Sequence, residues 1–276
     1  MAYKHSNMAT AENISWVFNT HVCDLICCHM RRSLVGLLRK ASDDALLLLA
    51  ITFTFKRMIK PVIKAKFYPP LEEFLNIYSH VLGLVLSMIG LVFLIQLAVS
   101  AGTVWHVVSF TIFGVSLITL YAASSVYHSA KDPIIRNRLR VFDHAAIYVL
   151  IAGTYTPFTL VTLHGTLGWT IFGITWAMAL IGIILKLFYT GRFSKTSTAM
   201  YIFMGWMIVF AIKPLITAFP TEGMTWLVAG GLAYTFGAVL YSIKAIPLNH
   251  ALFHVLVLMG SGCHFIAVYG YVLTTP

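Results

Sequence analysis

Two pairs of side chains at helical spacing stand out for their chemistry: Ser124 with His128, and His250 with His254. Members of each pair are at i, i+4, so both project from one face of a helix. Imidazoles so placed are how a helix presents a divalent metal ion, and three neutral imidazoles suit Zn²⁺ with a fourth position left for water. That is the pattern of a catalytic site, whereas structural zinc is fully enclosed by protein ligands. Asp143 adds a carboxylate that could hold the water and take its proton as general base. Ser124, one turn from His128, could orient the ring or hydrogen-bond a substrate carbonyl.

Each residue also has a plainer reading. A histidine at the end of an apolar run can be a polar tip at the headgroup level, and Asp143 can cap a helix N-terminus and favour its dipole. What would join them is a common depth, which the elements carrying them must supply.

The chain has 276 residues, 59% hydrophobic and 10% charged. Soluble domains carry roughly 25% charged residues, so the sequence reads as an all-α integral membrane protein. Apolar runs fall at residues 73–100, 104–128, 141–163, 167–188, 199–219, 224–244 and 249–274. At ~1.5 Å per residue each can cross a bilayer, which predicts a seven-transmembrane helix bundle. The formal net charge of +10 points to loops beside anionic lipid and to no nucleic-acid partner. Lys and Arg collect at 56–66, 131–140, 186–195 and Lys244, while the alternate loops at 101–103, 164–166 and 221–223 have none. Lys213 is the exception, near the far end of the fifth run, where it can snorkel. The positive-inside rule then puts the N-terminus in the cytoplasm and the C-terminus outside. On that topology His128 ends the second run, Asp143 begins the third, and His250 and His254 begin the seventh, all in the cytoplasmic layer.

Other polar residues are secondary. Glu73, Asn76 and His80 form an i, i+3, i+7 stripe at the start of the first run, readable as support for metal ligands or as an interhelical hydrogen-bond seam. His144 is turned ~100° from Asp143, so both cannot face one centre equally well. His264 lies about 15 Å beyond His254, too far for the same ion. Residues 1–66 differ in character and read as an N-terminal cytoplasmic extension preceding a membrane domain at 67–276. In the extension, His21, Cys23, Cys27, Cys28 and His29 match no common zinc spacing. Its apolar stretch at 45–55 is too short to span, and a natural start at Met58 is an expectation.

The ordered motifs resemble the hemolysin III family, within the progestin and adipoQ receptor superfamily, from about Lys64 onward. They are Ser124 and His128 in ASSVYHS, Asp143 in FDHAAIYVLIAGTYTPF, His250 and His254 in PLNHALFHVLVLMGSGCHF, and the opening EEFLNIYSH. The resemblance implies zinc bound through His128, His250 and His254 on the cytoplasmic side, with Asp143 reaching the metal through water. It also implies a multi-pass protein of a bacterial inner membrane, with membrane lipid as substrate or ligand. Some relatives are similar to alkaline ceramidases, which hydrolyse lipid amides; bacterial members are named for red-cell lysis and described as pore formers. Three functions are therefore carried forward: a zinc-dependent lipid amide hydrolase, a channel or cytolytic pore, and a non-catalytic receptor or regulator of membrane lipid state. The first is favoured, because an aspartate beside an open zinc position has little structural purpose. The second lacks the regular polar stripe that an ion pathway requires.

Overall fold

A computed structural model of the chain describes residues 65–189 and 194–273. The expectations for the N-terminal extension, including its His/Cys cluster, the 45–55 stretch and the Met58 start, lie outside the described residues. Among these residues the secondary structure is entirely helical, and seven stretches are long and apolar enough to cross a bilayer. We label the helices α1 (Pro70–Ala101), α2 (Val104–Ser129), α3 (Pro133–Pro157), α4 (Gly165–Tyr189), α5 (Ser194–Gly205), α6 (Ile212–Ala218), α7 (Thr221–Ser242) and α8 (Asn249–Ala267). Short π-helical turns, Phe158–Thr162 and Val268–Val272, extend α3 and α8.

The bundle is built for lipid as solvent. Pro70 opens α1 at a position whose N–H has no helical partner, and Glu72 and Glu73 in the first turn suit the helix dipole. Its buried stripe is Glu72, Asn76, His80, Gly83, Ser87, Gly90, Leu94 and Ala98, while Phe74, Leu82, Leu86 and Phe93 are exposed. Small and polar residues thus face the neighbouring α2 and α8, and large apolar ones face outward, as membrane packing favours. At Gly83 an added Cβ would come 2.6 Å from the Tyr121 ring, so glycine is what lets α1 and α2 close at this level.

The largest departure from the sequence reading is the start of α3. Residues 131–140 were expected to form a basic loop, with Asp143 at the mouth of the third span. Instead Asp132 caps the helix, its Oδ1 accepting from the backbone N–H of Ile134 (2.9 Å) and Ile135 (2.8 Å), and Pro133 takes the first helical position. Asp143 is therefore an interior residue of α3 and does not cap it. Arg136, Arg140 and Asp143 fall at i, i+4, i+7 on one face, and all three are buried.

The fifth span is also broken where a single helix was expected. It runs as α5, a 3₁₀ stretch at Met207–Ala211, and α6. Pro214 cannot donate to the carbonyl four residues earlier, and the Tyr155 hydroxyl bridges the break. It donates to the Gly205 carbonyl (2.8 Å) and accepts from the Ile208 N–H (2.9 Å). Replacing Tyr155 with Phe strands both backbone groups in an apolar setting. We expect Tyr155→Phe to cost about 1–3 kcal/mol of stability, measured by unfolding in detergent; an unchanged midpoint would show that the break needs no bridge.

Candidate metal centre

Arg136 supplies the frame of the site. Its guanidinium is 1% exposed and lies over the rings of Phe67 and Tyr127. Nη1 donates to the carbonyls of Tyr127 (3.3 Å), His128 (2.9 Å) and Ala130 (3.0 Å), where α2 ends with unsatisfied acceptors. Nε donates to the Lys66 carbonyl (2.8 Å), and Nη2 pairs with Glu73 Oε1. One side chain of α3 thereby fastens the end of α2 to the beginning of α1.

That arrangement delivers three histidines to one point. His128 ends α2, while His250 and His254 lie one turn apart at the start of α8, and all three are buried. His250 Nε2 stands 3.2 Å from His128 Nε2 and 3.2 Å from His254 Nε2. Ligand atoms of the three lie within 4.8 Å of one another, close enough to hold a metal ion. The start of α8 is itself pinned, since the His250 N–H donates to Glu72 Oε1 (3.1 Å). Tyr68 stacks on the His250 ring at 4.4 Å, nearly parallel, and its own burial pushes the phenol well above its ordinary pKa.

The outer ring nitrogens set the tautomers. His254 Nδ1 is 3.2 Å from the Asn76 carbonyl, which can only accept, so this nitrogen carries the proton. His128 Nδ1 faces Glu73 Oε2 at 3.5 Å, again an acceptor. In the neutral rings both Nε2 atoms are then lone pairs aimed at His250 Nε2, which has at most one proton to share. Lone pairs converging on one centre repel unless a cation sits between them. The donor set thus fits a metal ion, and its supporting hydrogen bonds are those that orient metal-bound imidazole.

The α1 stripe touches these rings. Glu73 meets His128, the Asn76 backbone meets His254, and the His80 ring stacks on His254 at 3.7 Å. Both nitrogens of His80, the amide of Asn76, the hydroxyl of Ser124 and His250 Nδ1 have no hydrogen-bond partner among the described residues. Such orphans are costly in a dry interior, and here they gather beside the rings. Ser124 and Asp143 line one cavity, ≈ 70 Å³, with His80, His250 and His254. His144 lines it too, its Nδ1 3.2 Å from Asp143 Oδ2.

A second, more apolar cavity of ≈ 120 Å³ adjoins the first. Leu120, Ile147, Tyr201, Ala238, Phe253 and Val257 line both. His264 belongs to this deeper space, its Nδ1 donating to the Gly260 carbonyl at 2.8 Å.

Three residues of the site were not singled out from sequence. Arg136 and Lys186 were counted as loop charges, yet both are buried, and Glu72 was passed over for its neighbour. The Asp132–Pro133 cap signal was the clue that α3 begins early enough to turn Arg136 inward.

Known proteins resemble this chain in sequence. The family model described as "Haemolysin-III related" matches residues 69–265. The chain is 47% identical to Hemolysin-3 of Bacillus cereus over 204 residues, 74% of this chain and 93% of that protein. It is 45% identical to the Hemolysin-3 homolog of Bacillus subtilis (strain 168), over 74% of this chain and 96% of that protein. Monocyte to macrophage differentiation factor of Homo sapiens is 28% identical over 74% of this chain and 86% of its own length.

Glu73 meets both Arg136 and His128, so its charge would support a metal ion held by that ring. Glu73→Gln is expected to weaken metal affinity about 10–100-fold while leaving the three ligands in place. Competition with a chelator checks this, and an unchanged affinity would reduce the pair to packing.

Proposed function

The chain belongs to the haemolysin-III-related family, and on that premise we propose that it is a zinc-dependent hydrolase of a lipid amide. The convergence of three Nε2 atoms bearing more lone pairs than protons, with the His250 and His254 rings lining a cavity that Asp143 also lines, carries the reading. Imidazole nitrogens sharing one tetrahedral zinc at about 2.0–2.1 Å stand roughly 3.3–3.4 Å apart. The observed 3.2 Å separations favour an ion of that kind.

In this reading His128, His250 and His254 hold the ion. Zinc so bound supplies Lewis acidity and lowers the pKa of water at its open position to about 7. Asp143 accepts a proton from the attacking water and returns one to the leaving amine, as a general base and then acid. The Ser124 hydroxyl, buried with no hydrogen-bond partner among the described residues, donates to the substrate carbonyl and holds it beside the rings. The apolar cavity beyond takes the acyl chain and keeps water from the deeper bundle. The basic end of the bundle faces the cytoplasm, so substrate enters from the inner leaflet of a bacterial inner membrane.

Purified wild type is expected to carry about one zinc per chain and His250→Ala essentially none. Asp143→Asn should keep its zinc and release fatty acid from N-acyl lipids about 10²–10⁴-fold more slowly. Metal analysis and a fatty-acid release assay check both. A metal-free wild type would contradict the proposal, and zinc without product from any N-acyl lipid would favour the receptor or regulator reading.

A further inference from the structure

The deeper cavity has apolar side chains along most of its wall, and most of the hydroxyls that reach it give their hydrogens to the backbone. Thr154 donates to the Leu150 carbonyl (2.8 Å), Tyr155 to the Gly205 carbonyl (2.8 Å), Tyr201 to the His144 carbonyl (3.0 Å) and Thr235 to the Gly231 carbonyl (2.7 Å). His264 is different. It is buried and lines this cavity, and its Nδ1 meets the Gly260 carbonyl at 2.8 Å. A carbonyl oxygen can only accept, so Nδ1 carries the proton and Nε2 of the neutral ring is an acceptor. Among the described residues no donor meets that nitrogen.

Tyr234 supplies the complementary group. Its ring stacks on that of His264, with 5.2 Å between centres and 17° between planes, and it lines the same cavity. The two rings are seated reciprocally. A Cβ at Gly230 of α7 would run into the His264 ring, and one at Gly260 of α8 would come 2.6 Å from the Tyr234 ring. Each helix thus omits a side chain where the ring of the other must lie. The Tyr121 hydroxyl donates to Ser261 Oγ (2.7 Å), and Ser261 Oγ lies 2.9 Å from the Tyr234 hydroxyl. Three hydroxyl hydrogens share these two contacts, so one has no acceptor among the described residues. In the relay from Tyr121 to Ser261 to Tyr234, where each bond polarises the next, it is the hydrogen of Tyr234.

An acceptor and a donor in an apolar wall ask for a ligand group that is both. A plain hydrocarbon chain leaves both bonds unmade, which is costly in a dry interior. A carbonyl or ether can only accept, and an ammonium can only donate; a hydroxyl does both. His264 lies about 15 Å beyond His254 along α8, comparable to one leaflet of a hydrocarbon core roughly 30 Å thick. An acyl chain with its carbonyl at the three histidines therefore reaches His264 with its far half. We propose that His264 and Tyr234 form a hydroxyl-binding site in the deep cavity, selecting lipids whose acyl chain bears a hydroxyl beyond its midpoint, a preference that rests on the acyl-chain placement of the hydrolase reading above. The lipid hydroxyl donates to His264 Nε2 and accepts from Tyr234.

Binding to the full chain in detergent tests this without turnover. The probes are octadecanoate, octadecanoate hydroxylated at its twelfth carbon, and octadecanoate with a keto group at that carbon. Wild type is expected to hold the hydroxy acid about tenfold more tightly than the plain one. The keto acid accepts but cannot donate, so it should lose the part of that gain that depends on His264. His264→Phe, which keeps a ring against Tyr234, should bring the hydroxy acid down to the affinity of the keto acid. Tyr234→Phe should abolish the gain of the keto acid, with metal content and octadecanoate affinity unchanged in both variants. Equal wild-type affinities for the hydroxy and plain acids would overturn the site, its two groups then holding water alone, whether or not the variants fold. A gain that survives His264→Phe intact would overturn it as well. Preference without hydrolysis sinks only the hydrolase, and hydrolysis without preference sinks only this site. A chain that binds none of the acids sinks the acyl placement beneath both.

Discussion

A buried guanidinium must have its donors satisfied, and Arg136 meets that demand with backbone carbonyls from the end of α2, the Lys66 carbonyl before α1, and the Glu73 carboxylate. The carbonyls at a helix C-terminus are unpaired and lie at the negative end of the dipole, so a cation there answers both needs. One of the carbonyls it holds belongs to His128 itself, and the carboxylate it holds faces the His128 ring. The position of the first histidine of the cluster is thus set by a residue outside it. Through Glu72 the same turn of α1 also fixes the start of α8, and with it His250 and His254.

The surrounding membrane explains why such a polar cluster must be so fully connected. In an apolar solvent the polar residues turn inward, and each one left unpaired carries a penalty. Most of this bundle obeys. The Tyr121 hydroxyl donates to Ser261 at 2.7 Å, and Ser and Thr side chains bond back to their own helices. Asn76, His80 and Ser124 carry orphaned atoms beside the histidines, and His80 and Ser124 line the cavity there.

The seven spans and the candidate histidine cluster were legible because apolar length and i, i+4 spacing are local properties of the sequence. The bundle then brings His128 together with His250, more than a hundred residues away, as the common-depth argument required. Asp143 shows how a placement can rest on a wrong element. It was placed at the site as the first residue of a span, and it reaches the shared cavity from the interior of α3. The error came from weighing Arg136, Arg138 and Arg140 as loop charge when Asp132–Pro133 already signalled a helix start. Of the three only Arg138 is exposed. Lys186 was hidden for the same reason, since composition marks a charge near a span end without saying which way it turns. The break in the fifth span depends on a tyrosine from another helix, a tertiary contact that no local pattern encodes.

The central claim is that His128, His250 and His254 together hold one ion, in a frame fastened by Arg136. Zinc K-edge X-ray absorption on the purified full-length protein tests it most directly. The expected shell is about three imidazole nitrogens and an oxygen at about 2.0–2.1 Å. No zinc above background, or a shell containing sulfur, which the three histidines cannot supply, would contradict it.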